Sequence, residues 1–87
     1  MTILIDQLSL DQLSLDQLPL GQLAEVVHIG AEKATRRRLL DLGVLPGVNL
    51  RVLQAAGGPL LVAVRDSRLA IGRTIAQNVI VKIKPPA

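Results

Sequence analysis

The chain has 87 residues, a net charge of +3, and no cysteine, phenylalanine, tryptophan or tyrosine. A single small domain of this length leaves much of its surface exposed, and disulfides, zinc thiolates and aromatic anchors are all excluded from its core. Leucine, valine and isoleucine must carry the packing, and the stacking platforms of single-strand nucleic-acid binders and the aromatic grooves of proline-rich-peptide readers are excluded with the aromatics.

The charge is uneven. Residues 1–20 hold three acids and no base, so the remainder holds ten bases and four acids, a net +6. Such a field favours acidic partners, whether protein, nucleic acid or lipid headgroup. The start, Met1–Asp6, has no basic leader, and Asp-Gln pairs interrupt the leucines before any apolar run could span a bilayer. The sequence therefore predicts a soluble, unprocessed chain without direct membrane insertion. Residues 4–23 contain a five-residue repeat whose leucines, at 8, 10, 13, 15, 18, 20 and 23, advance by two and then three. That spacing fits neither a strand nor one helical face. Residues 1–14 are read as an extension made of near-copies of the segment that follows; the alternative is a leucine surface that docks on a partner or makes a homo-oligomer.

Leu23–Gly30 predicts the first strand, with Val26-Val27 breaking alternation and marking a bulge. Its His28 is the only histidine, too little for a metal centre, and nothing in the spacing of Glu25, Asp41 and Asp66 brings carboxylates to it. Glu32–Leu42 predicts a helix with Thr35, Leu39 and Leu42 facing inward and Glu32 paired with Arg36. Gly43 stops it, and Leu45–Val48 reads as a type II turn with Pro46 and Gly47 at its centre. Val48, Leu50 and Val52 then mark the buried face of a second strand, closed by Gly57-Gly58-Pro59. Leu60–Arg65 and Arg68–Ile71 predict a hairpin turned at Asp66-Ser67. Gly72–Asn78 holds at most two helical turns, with Asn78 as a left-handed exit, and Val79, Val81 and Ile83 define the last strand. About five short strands, one helix after the first and a helical turn before the last give an all-β, partly open barrel over residues 15–84, with 85–87 as a tail.

The run Arg38-Leu39-Leu40-Asp41-Leu42-Gly43-Val44-Leu45-Pro46-Gly47 resembles the R-L-x-x-L-G-x-x-P-G signature of the FeoA family, and the likeness extends from Leu15 to Ile83. It includes the opening Leu15-Asp16-Gln17-Leu18-Pro19-Leu20-Gly21-Gln22 and the closing Ile80-Val81. The resemblance implies an SH3-like barrel, a cytoplasmic location, and an accessory role in ferrous-iron uptake through the GTPase region of the membrane ferrous-iron permease. Related barrels end the iron-dependent transcriptional repressors, and a basic regulatory module of that kind is the alternative. It lacks a helix-turn-helix segment here, so no nucleic-acid partner is expected.

No nucleophile stands beside a base, no phosphate-cradling loop is present, and neither enzyme chemistry nor a cofactor is expected. Arg36, Arg37 and Arg38 span most of a helical turn; one is expected to lay its stem on the barrel while two reach solvent. They are either a solvated face or a docking surface, since arginine pairs bidentately with carboxylates. Leu40, Val44 and Leu45 are expected to form an exposed apolar patch beside them, reaching to Pro46, while Leu39, Leu42, Gly43 and Gly47 hold the motif's structure.

Overall fold

The computed structural model describes residues 12–85; residues 1–11, with the upstream repeats, lie outside them. The strands are β1 (Gln12–Ser14), β2 (Leu23–Ile29), β3 (Asn49–Gln54), β4 (Leu60–Val64), β5 (Ser67–Ile71) and β6 (Val79–Ile83). A 3-10 turn, Leu15–Gln17, follows β1, helix α1 (Lys33–Asp41) follows β2, and helix α2 (Arg73–Ala76) precedes β6. All strands are antiparallel, in the order β1-β6-β2-β3-β4-β5. The partly open barrel thus has six strands where about five were expected. The additional one, β1, lies inside the stretch read as an extension and pairs Gln12 with Lys82, Leu13 with Val81 and Ser14 with Ile80.

Alternation decides the core. Leu50 and Val52 of β3 are buried with Leu60, Val62 and Val64 of β4 and Val79 and Val81 of β6, while Asn49, Arg51 and Leu53 face out. In β2 the alternation holds for Ala24 and Val26, and the bulge between Val26 and His28 then moves burial on to Ile29. The extra residue shifts the phase by one, so His28 points to solvent where strict alternation would bury it. The 3-10 turn sends Leu15 and Leu18 into the same core, and Ser14 Oγ donates to Asp16 Oδ1 at 2.6 Å across its start.

Gln22 fastens the start of β2 to the end of β6. Its Nε2 donates to Lys84 O at 3.1 Å and to Leu23 O at 3.0 Å, beside a backbone bond from Lys84 N to Leu23 O. Two turn expectations are corrected. The β4–β5 hairpin turns at Arg65-Asp66, because Val64 pairs with Ser67 and Arg65 takes φ 56°, the positive value that tight hairpins need at a central residue. Asn78 does not adopt a left-handed exit; its carbonyl instead accepts from Gly30 N at 2.7 Å, and its Nδ2 donates to Thr74 O.

Leu50 is 2% exposed and Leu53, in the same strand, 40%. Leu50→Ala should cost about 2–5 kcal/mol of unfolding free energy. Leu53→Ala should change it by about 0.5 kcal/mol or less. Urea melts of the two variants test the assignment of faces.

Candidate functional site

Helix α1 ends in a Schellman arrangement. Gly43 takes φ 94°, Gly43 N donates to Leu40 O at 3.0 Å, and Val44 N donates to Leu39 O at 2.8 Å, with Leu39 and Val44 buried against the core. The reversal explains one correction. Leu42 was expected to face inward, but it is the C-cap and 46% exposed, because the returning chain puts Val44 into the inward place above Leu39. Val44, expected in the exposed patch, is accordingly fully buried. Thr35 is half-buried, so α1 rests on the barrel chiefly through Leu39.

The turn after the helix forms as the sequence predicts. Gly47 has φ 95° and Val48 N donates to Leu45 O at 3.2 Å, closing a Leu45–Val48 turn. Gly47 N also donates to Val26 O at 2.8 Å, and Val26 N to Val48 O at 2.9 Å. These bonds clamp the turn to β2 at its bulge.

Between the clamp and the helix lies a predominantly apolar groove of about 400 Å³. Leu40, Leu45 and Pro46 form its apolar surface over the buried Ile29 and Val44, and Lys33, Arg36, Arg37 and His28 border it. The structure thus brings together six of the seven residues singled out as an interface: Arg36, Arg37, Leu40, Val44, Leu45 and Pro46. Arg38 is turned away from it, on α1's other side, as the helical period requires for three consecutive residues. All three arginines are exposed, and Arg36 and Arg37 border the groove. Lys33, His28 and Ile29 were missed as groove residues. Lys33 stands three residues before Arg36 and four before Arg37, a same-face spacing that could have found it; His28 and Ile29 arrive through strand pairing that the motif itself does not encode.

The groove has a one-sided charge. Glu32 was expected to pair with Arg36, yet among the described residues the ion pair formed is Lys84 Nζ with Glu25 Oε1 at 3.1 Å, between β2 and the end of β6. Glu32 contributes its backbone, accepting from Arg36 N at 2.9 Å, because an exposed carboxylate gains little by holding an arginine. The rim bases are left facing solvent around an apolar floor. Glu25, Asp41 and Asp66 do not converge, and no group of three or more metal-binding side chains occurs among the described residues. No helix of the described residues is long and apolar enough to cross a membrane.

These features define a small SH3-like barrel that presents an apolar groove with a cationic rim. A profile of the FeoA domain matches residues 13–83. A protein of Methanocaldococcus jannaschii described as Fe(2+) transport protein A is 32% identical over 57 residues, 66% of this chain and 70% of its own length. The solution structure of FeoA from Chlorobium tepidum superposes with a TM-score of 0.80 at 39% identity, over 84% of this chain and 71% of that one. FeoA of Stenotrophomonas maltophilia, in complex with zinc and described as an SH3 domain protein, gives 0.72 at 34% identity over 80% and 89%. The chain belongs to the FeoA family. T. acidophilum IdeR shares the barrel fold alone, with a TM-score of 0.76 at 19% identity over 34% of its length.

Two site variants separate packing from presentation. Leu39→Glu places a charge at a position 4% exposed and should abolish folding, whereas Leu40→Glu, at 49%, should leave the circular dichroism and melting transition nearly unchanged. Gly47→Ala meets no atom within 4 Å but forces an L-residue to φ 95°, and should cost about 1–2 kcal/mol in a thermal melt.

Proposed function

We propose that the chain is a non-enzymatic accessory of ferrous-iron uptake that docks its α1–turn groove on the cytosolic GTPase region of the membrane ferrous-iron permease and modulates transport. One observation carries this reading: the apolar floor of Leu40, Leu45 and Pro46 is ringed by Lys33, Arg36 and Arg37 on the face that bears the family motif. An apolar centre with a charged rim is the anatomy of a protein interface, and the basic rim selects an acidic surface and speeds encounter. Family membership supports the iron-uptake setting. The M. jannaschii relative carries the name of an Fe(2+) transport protein, and a role as a ferrous iron transport activating factor has been suggested for the S. maltophilia one. The groove residues act by contact: Leu40 fills a partner's apolar pocket, and Arg36 and Arg37 pair with its carboxylates.

The test is binding of the purified chain to the GTPase domain of a ferrous permease from the same organism, with duplex DNA as control, at low and physiological salt. The GTPase should bind saturably at both. Leu40→Glu should weaken it by about tenfold or more, since 1.4 kcal/mol is one decade and a central apolar contact is worth at least that. Arg37→Glu should weaken it less and mostly at low salt, where exposed charges are poorly screened. Binding that vanishes at physiological salt, or that ignores both substitutions, removes the groove from the docking site.

A further inference from the structure

Residues 6–13 and residues 11–18 are the same eight-residue sequence, Asp-Gln-Leu-Ser-Leu-Asp-Gln-Leu. The second copy contributes β1, the 3-10 turn and its C-cap Leu18. This segment fills a defined slot along β6: Leu13 opposes Val81, Ser14 opposes Ile80, and Leu15 and Leu18 enter the core at 0% and 5% exposure. The slot reads side chains, and every side chain it reads is present twice in the chain.

We propose that the slot along β6 is a binding site for this eight-residue sequence with two occupants in the same chain, residues 11–18 in the observed register and residues 6–13 in a register slipped by five. In the slipped register Leu8, Leu10 and Leu13 take the places of Leu13, Leu15 and Leu18, and Gln7 takes the place of Gln12 opposite Lys82. Ser9 and Asp11 reproduce the Ser14–Asp16 hydrogen bond. A slip by one residue would turn the buried face outward, but a slip by the whole repeat restores every contact. The excess, residues 14–18, emerges at Pro19–Gly21, where Pro19, Leu20 and Gly21 are all exposed and the chain already turns. A loop lengthened at the surface adds only a slowly growing entropy cost, so the two registers lie close in free energy. The consequence is a switch. The observed register buries Leu15 and Leu18, and the slipped one presents them on a surface loop next to Leu20, which is 63% exposed.

Three variants of the full chain test this by urea unfolding: Leu10→Asp, Leu15→Asp and the double variant. Leu10→Asp should behave as the unmodified chain. Leu15→Asp should keep a cooperative transition, with its midpoint lowered by no more than about 1 M, because residues 6–13 take over the slot and leave the introduced carboxylate in the solvated loop. The double variant spoils both occupants and should show no folded baseline. A Leu15→Asp chain as unfolded as the double variant overturns the proposal, as does a double variant that stays folded. The chain has no cysteine, so the register can also be trapped covalently. In the Leu15→Asp background, Gln7→Cys with Lys82→Cys should give an intrachain disulfide on mild oxidation, since residue 7 then stands opposite residue 82. No disulfide, or one joining two chains only, overturns exchange within one chain.

Discussion

The groove depends on two backbone hydrogen bonds made by one residue. Val26 offers its N–H to Val48 O and its carbonyl to Gly47 N, at the point where β2 bulges and stops tracking its alternation. On one side of this clamp the bulge turns His28 outward and Ile29 inward; on the other the Pro46-Gly47 turn leads into β3. The Schellman end of α1 then fixes the helix to the same turn through Leu39 and Val44. Two glycines at positive φ and one bulge therefore set the distance between α1 and β2. The floor of the groove is the space these three devices leave open.

Charge lies over this framework without holding it together. The rim bases face solvent, and the ion pair of Lys84 with Glu25 sits between strands β2 and β6 rather than at the groove, with both partners about one-third exposed. Exposed pairs contribute little to stability. Stability instead rests on close-packed aliphatic side chains, with no aromatic ring to bridge a gap, so each buried valine has many small neighbours and few substitutes. The cationic rim is thus separable from the fold.

Most of this architecture was legible in the residues. The valine pair at 26 and 27 marks a bulge, Gly43 and Gly47 mark two changes of direction, and alternation from Val48 to Val64 separates inside from outside; all are local signals. What the sequence hid was non-local. β1 is three residues long within a leucine repeat of mixed spacing, and only its pairing with β6, almost seventy residues later, makes it a strand. Leu42 continues a helical face in sequence but loses its inward place to Val44, because burial at a helix end is decided by where the chain goes next. His28 entered the groove for the same reason, through a phase shift whose direction the sequence did not specify. Of the seven interface residues singled out, Arg38 alone falls outside the groove, and the helical period explains it.

The position of β6 has a consequence for how this chain comes to be folded. It is the last of the described strands in sequence, yet it stands between β1 and β2 in the sheet. While the chain is being synthesised, β2 to β5 can form a meander, but β1 has no strand to pair with until Val79–Ile83 has left the ribosome. Closure then joins segments distant in sequence in a single event, the kind of contact that slows folding and makes it all-or-none. Until then Leu15 and Leu18 lack part of the surface that buries them, and a partly folded chain would offer these two leucines to a chaperone.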